Sequence, residues 1–286
     1  MSARAIVLAA LLAVCLAVPA GAAQLPTIQS HRGGPVRDGV PTFAEESMAA
    51  FRSAWEREHT VLELDVKLSK DRVPVVIHDA TLDRTTVCSG RVDSKTWREL
   101  REQCPSDVLG IDGFVTAPAP RPVPMVRLLD LLHYAKQSGA TLNLEIKNIP
   151  GEDDFDPTSA FATTITDEIK ASGLPLRQLI IQSFYPPNLD VAKQELPGVE
   201  TALLTGAGST NYAGAVFAAA RGYTWWSPGW PVTKTDVDQA HALGLKVVPW
   251  TLDKPDQVKA AASFGVEALI TNDPVMAKKA LGVDSR

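Results

Sequence analysis

Apolar and polar positions along this chain follow two periods that take turns. Short apolar and β-branched runs recur at residues 27–31 (TIQSH), 61–66 (VLELDV), 141–147 (TLNLEIK), 178–184 (QLIIQSF), 200–205 (ETALLT), 223–228 (YTWWSP), 245–251 (LKVVPWT) and 267–272 (EALITN). Each has strand length. Helical spacing takes over between most of them. Met48, Phe51 and Trp55 fall three and four apart, and the stretches 126–139, 233–244 and 254–265 end on Gly139, Gly244 and Gly265, the residue that best accepts the left-handed turn closing a helix. One more run, VPVVIHD (73–79), breaks the alternation, because only KLSKDR separates it from the second strand. A parallel crossover needs about a dozen residues, so this run is expected to return as an antiparallel hairpin.

With the hairpin set aside, eight strands remain. That count predicts an α/β fold, a closed (β/α)8 TIM barrel rather than an open doubly wound sheet. Residues 84–126, which include the proline-rich TAPAPRPVP, read as an inserted loop or small subdomain after the second-strand hairpin. The chain shows no internal repeat and no low-complexity tract.

The second strand carries an anomaly. Leu62, Leu64 and Val66 share one face, and Glu63 and Asp65 share the other, since faces alternate with period two. Two carboxylates that close raise each other's pKa unless a cation or donor offsets them. A solvated edge strand is the plain alternative.

Composition narrows the setting. The chain has 286 residues, 45% hydrophobic and 21% charged, ordinary for a globular protein. Its first residues differ: Arg4, an apolar run from Ile6 to Val18, then Pro19 and small residues. This is the layout of a signal peptide spanning 1–23, and a membrane anchor is the competing reading. The remainder, 24–286, is expected to be a single barrel domain, periplasmic or secreted, with no stable membrane span after cleavage. The formal net charge is −5, and the leader holds one arginine and no acid. Without a basic run, nucleic acid is not an expected partner. Cys88 and Cys104 are candidates for a disulfide in an oxidising compartment, a pairing that spacing leaves open.

Candidate chemistry gathers at strand ends, where barrel enzymes place it. The first strand ends on His31 and Arg32, the hairpin return on His78 and Asp79, and the third strand on Glu145 and Lys147, again two apart. The fourth offers Gln182 and Ser183, the seventh Trp250, and the eighth Asn272 and Asp273. Each has a structural alternative: an internal ion pair for Glu145 and Lys147, a hydrogen-bonded structural histidine for His31 or His78. His59, His133 and His241 lie on or beside predicted helices and are assigned no role. Oxygen ligands suit a hard cation, so Glu63, Asp65 and Glu145 are candidate ligands for one divalent cation, Ca2+ or Mg2+. Arg32 and Lys147 would then contact a phosphate, with His31 and His78 as the acid–base pair.

These residues fall in a familiar arrangement. The chain resembles the glycerophosphodiester phosphodiesterase family through HRG (31–33), AEES (44–47), ELDVKLSKDRVPVVIHDATLDRTT (63–86), LNLEIK (142–147), IIQSF (180–184), VPWTLD (248–253) and GVEALITNDP (265–274). The resemblance implies a TIM-barrel enzyme that uses a divalent cation. It would hydrolyse a small-molecule glycerophosphodiester, such as glycerophosphocholine or glycerophosphoethanolamine, to sn-glycerol 3-phosphate and an alcohol. It carries the roles above to the same positions. Two departures stand out. The family's PENT-like box has Ala44 for its proline and Glu46 for its asparagine, and Asp71-Arg72 replaces an Asp-Gly hairpin turn. Glu45 matches the box's glutamate and, with Trp250, is expected at the pocket. Two rival readings remain: phospholipase D-like cleavage of lysophospholipids, with Trp225, Trp226, Trp230 and Trp250 along an apolar track, and a non-catalytic polyol-phosphate binding protein.

Overall fold

Eight parallel strands form the frame: Thr27–Ser30, Val61–Leu68, Leu142–Ile146, Leu179–Ser183, Glu200–Thr205, Trp225–Pro228, Lys246–Val247 and Ala268–Thr271. They pair in sequence order, and the eighth pairs with the first through Thr27↔Ala268 and Ser30↔Thr271. The circle is completed by backbone bonds from Leu252 N to Ile270 O (2.9 Å) and from Ile270 N to Pro249 O (3.0 Å). The barrel is therefore closed, as the strand count predicts. This computed structural model describes residues 25–111, 113–208 and 211–283; the leader expected at 1–23 lies outside them.

Helices Met48–Glu56, Leu128–Ser138, Ala160–Ser172, Pro186–Glu195, Asn211–Ala220, Lys234–Ala242, Pro255–Phe264 and Pro274–Leu281 follow the strands in turn. Their apolar faces pack on the outward residues of the strands in one core that includes Phe51, Leu62, Leu64, Leu142, Leu144 and Trp226. A smaller apolar plug of Ile180, Ala202, Trp225, Val248 and Ile270 occupies inward positions. None of the helices among the described residues is long and apolar enough to cross a membrane.

Every residue of the second strand after Val61 is buried. The exposed-edge alternative is thus excluded: Glu63 and Asp65 are each 1% exposed. Pro74–Val76 returns antiparallel along this strand, with Val66↔Val76 and Leu68↔Pro74 in register. At the turn, Arg72 has φ 59°, the left-handed conformation a glycine adopts without strain.

The insert is more ordered than a loop. It contains the helix Trp97–Gln103 and an antiparallel pair, Ser106–Ile111 with Val115–Val123. The proline-rich stretch lies within the second of these strands, and only Pro118 of Pro118, Pro120 and Pro122 has a register partner, Val108. Pro120 and Pro122 fall where the register shifts and the strand has no ladder partner, a place where a missing N–H breaks no ladder bond. Val75, Ile77, Leu82, Val92, Leu100 and Cys104 form a separate small core there. Cys88 and Cys104 are joined by a disulfide.

Candidate active site

The turn after the first strand is built for close approach. Arg32 has φ 51° and is followed by Gly33 and Gly34, both with positive φ. A Cβ on Gly33 would lie 2.8 Å from Ala50 Cβ, and one on Gly34 would lie 2.8 Å from Pro274 Cδ. The kink aims Arg32 into the rim. Its backbone N–H donates to Glu63 Oε2 (2.7 Å), its Nη1 donates to Glu45 Oε1 (3.0 Å), and its Nε stands 3.2 Å from Asp65 Oδ2.

Glu63, Asp65 and Glu145 come together as the sequence predicts. Asp65 and Glu145 are register partners on adjacent strands, and one carboxylate oxygen from each of the three acids lies within 4.8 Å of the others. Glu63 is further held by Gln182, whose Nε2 donates to Oε1 at 2.7 Å. Asp65 Oδ2 and Glu145 Oε1 are buried and accept no hydrogen bond; each has only a nearby cation, Arg32 Nε at 3.2 Å and Lys147 Nζ at 3.4 Å. Three oxygen donors with unfilled acceptor positions fit a hard divalent cation.

Burial and the neighbouring Asp65 push Glu63 well above the usual carboxylate range. Burial pushes Glu145 up to about 8 against the pull of Lys147, with Asp65 adding to the rise. Asp65 itself is held low despite burial, because Lys147, His78 and Arg32 surround it. Lys147, 3% exposed, keeps its proton against desolvation through Glu145 and Asp65.

The two histidines have unlike partners. His31 Nδ1 lies 2.6 Å from Asn272 Oδ1, and burial, then the charge of Arg32, lowers the ring to about 3. His78 Nδ1 lies 2.5 Å from Asp79 Oδ1. Burial lowers His78 too, while Asp65 and the Asp79 hydrogen bond oppose that shift.

A cavity of about 250 Å³ is lined by His31, Arg32, Glu63, His78, Glu145 and Lys147, with Gln182, Phe184, Leu204, Trp250 and Ile270 on its other walls. The expected set thus converges, with two members off the cavity wall: Asp65, clustered with Glu63 and Glu145, and Glu45, which sits behind Arg32. Glu46, also in left-handed backbone at φ 58°, is buried and accepts from Asp65 N at 2.9 Å. The four-tryptophan track does not form. Trp226 is in the outer core, Trp225 is in the barrel plug and donates to Glu200, and Trp230 stacks on Phe264. Trp250 alone of the four lines the cavity, edge-on to Phe184 at 5.5 Å.

Sequence reasoning assigned no part to Arg84 or Asp253. Arg84 binds Asp79 and Glu45 together, and Asp253 holds Asn272. The signal for Arg84 was its place five residues after Asp79 inside the HDATLDRTT run.

Comparison with known proteins agrees with this geometry. Residues 31–276 match the model of the glycerophosphoryl diester phosphodiesterase family. A glycerophosphodiester phosphodiesterase of Bacillus altitudinis is 29% identical over 245 residues, covering 83% of this chain and 92% of that protein. One from Caldanaerobacter subterraneus is 28% identical over 249 residues, covering 86% and 93%. The fold is shared with an Oleispira antarctica phosphodiesterase solved with its product sn-glycerol-3-phosphate, at TM-score 0.69 and 21% identity over 90% of this chain and 97% of that one. Because the family model runs from His31, just after the first strand, into the last helix, the chain belongs to the glycerophosphoryl diester phosphodiesterase family.

Proposed function

We propose that this phosphodiesterase hydrolyses glycerophosphodiesters such as glycerophosphocholine and glycerophosphoethanolamine to sn-glycerol 3-phosphate and the free alcohol. The observation that carries this reading is one cavity faced by two imidazoles, two carboxylates and two fixed cations, with the third carboxylate, Asp65, clustered beside the other two. Glu63, Asp65 and Glu145 would hold one Ca2+ or Mg2+, which when bound acts as a Lewis acid toward the phosphate oxygens.

Arg32 and Lys147 bind the phosphodiester anion and orient it between the histidines. The unlike partners divide the proton work. Asn272 offers His31 only an amide oxygen, so His31 stays neutral and serves as base. Asp79 offers His78 a carboxylate, which opposes the lowering of the ring by burial, so of the two rings His78 is the better placed to carry the second proton and serves as the acid. His31 takes the proton of the glycerol 2-hydroxyl as its oxygen bonds to phosphorus, and His78 protonates the alcohol oxygen as the old P–O bond breaks. Water then opens the cyclic phosphate with the roles reversed, so both rings regain their starting states.

Phe184, Leu204, Trp250 and Ile270 give the same cavity an apolar wall, which favours acylated lysophospholipids as the second reading. Product analysis on glycerophosphocholine and its lyso form, with chelator and with added Ca2+ or Mg2+, tests both. We expect sn-glycerol 3-phosphate, lost with chelator and restored by metal. Faster turnover of the lyso form would favour the second reading, and tight binding without product would make the chain a binding protein. His31→Ala with full activity would reject the assigned roles.

The leader-like residues 1–23 and the Cys88–Cys104 disulfide support export to an oxidising compartment, periplasm or medium. Fractionation of the producing cells tests this; accumulation in the cytosol would refute it.

A further inference from the structure

We propose that Arg84, contributed by the insert, is a positioning residue that sets His78 and Arg32 at a fixed separation across the cavity. This inference rests on the acid role given to His78 above.

His78 lies beyond the hairpin return, outside the barrel ladder, and its side chain is 29% exposed. Its ring therefore depends on Asp79 for its direction, and Asp79 needs a hold of its own. Arg84 provides it: Nε donates to Asp79 Oδ2 at 2.6 Å and Nη2 to Oδ1 at 3.1 Å. The other edge of the same guanidinium donates from Nη1 to Glu45 Oε2 and from Nη2 to Glu45 Oε1, both at 2.8 Å. Glu45, its side chain 6% exposed, in turn accepts from Arg32 Nη1 at 3.0 Å.

A continuous chain of charge-assisted bonds thus runs His78–Asp79–Arg84–Glu45–Arg32. Only a planar fork can grip two carboxylates edge to edge, so lysine cannot replace it. Removing Arg84 would leave Asp79 free to turn away from His78. It would also strip Glu45 of two of its three donors, loosening one of the two carboxylates that hold the Arg32 guanidinium, the other being Asp65.

The test compares Arg84→Ala, Arg84→Lys, Asp79→Asn and the Arg84→Ala/Asp79→Asn double variant on glycerophosphocholine with metal present. We expect Arg84→Ala to lower kcat roughly 10- to 100-fold, the range for partners that orient a functional group. Arg84→Lys should fall nearly as far. Added guanidinium should restore Arg84→Ala several-fold and leave Arg84→Lys unchanged, a response that general loss of folding would not give. The double variant should be no slower than the worse single, since both cut one path.

A folded Arg84→Ala with kcat within twofold of wild type would overturn the inference. So would a loss that guanidinium does not restore, or losses that multiply in the double variant. His78→Ala, assayed in parallel, separates the two levels. If it stays active, the acid assignment is wrong; if it is dead while Arg84→Ala is unimpaired, only the inference fails.

Discussion

His31 and Asn272 meet at 2.6 Å between Nδ1 and Oδ1, and Asp253 decides which end of the amide His31 meets. Asp253 Oδ2 accepts from Asn272 Nδ2 at 2.6 Å, and Oδ1 accepts from Asn272 N at 2.9 Å. An ionised carboxylate can only accept, so the amide nitrogen must face Asp253 and the oxygen must face the ring. His31 then carries its hydrogen on Nδ1 and leaves the Nε2 lone pair free for a proton from substrate.

The first prediction follows from that tautomer. Asn272→Ala should lower kcat roughly 10- to 100-fold, as removal of a ring-orienting partner does, with KM changed far less because Arg32 and Lys147 remain. Steady-state kinetics on glycerophosphocholine decides it. A loss confined to KM would show that Asn272 serves binding and does not set the ring.

Glu145 gives a pH dependence. Pushed up to about 8 by burial, it carries a proton at neutral pH when no cation is present. A folded pKa raised above the unfolded value gives stability that is full below about 4.3 and lost as pH rises through about 8. Metal-free protein should therefore weaken between pH 5 and pH 8 (about the window of the shift), and a bound cation should reverse the trend by replacing the proton. Calorimetric titration of Ca2+ or Mg2+ at pH 7, in buffers of different ionisation enthalpy, should register proton release, and affinity should rise with pH. Flat affinity from about pH 6 to 8 would contradict it.

The barrel and the acidic triad were legible because both rest on period two. Glu63 with Asp65, and Glu145 with Lys147, are each two apart on a strand, so strand register alone brings them together. Arg84 and Asp253 were not legible in the same way. Their work is to hold Asp79 and Asn272 across loops, and no periodicity encodes a loop's path. The TAPAPRPV strand was hidden by prolines that usually mark a loop; Pro120 and Pro122 fall where the pairing is interrupted. Trp225 and Trp226 are adjacent in one strand and so face opposite ways, which rules out a shared track through both. Arg72 at the hairpin was legible: its departure from glycine coincides with φ 59°.

The disulfide yields a third prediction. Cys88 and Cys104 close a loop of sequence separation 16, worth about 3 kcal/mol in the chain-entropy view. Cys104 is fully buried in the small core that the insert shares with the hairpin return, and Arg84 lies four residues before Cys88. Replacing both cysteines with serine should therefore loosen the insert while the barrel strands stay closed. Hydrogen exchange should speed up in residues 82–106 and remain slow in Leu142–Ile146 and Leu179–Ser183. Equal acceleration everywhere would mean that the insert and barrel unfold as one unit.

Lys67 supports a fourth. It continues the inward run of Glu63 and Asp65, is 0% exposed, and pairs with Glu152 and, at 3.0 Å, with Asp154 in the segment after the third strand. The Asp154 side chain is only 4% exposed, so removing the ammonium leaves a carboxylate in low dielectric with its cation gone. Breaking one side of a buried pair costs about 3–5 kcal/mol, whereas neutralising both sides costs far less. Lys67→Met should accordingly destabilise by that amount in urea unfolding, and Lys67→Met with Asp154→Asn should recover part of it. A single variant within about 1 kcal/mol of wild type would place the pair among the weak surface bridges and remove the electrostatic hold on the segment that follows Lys147.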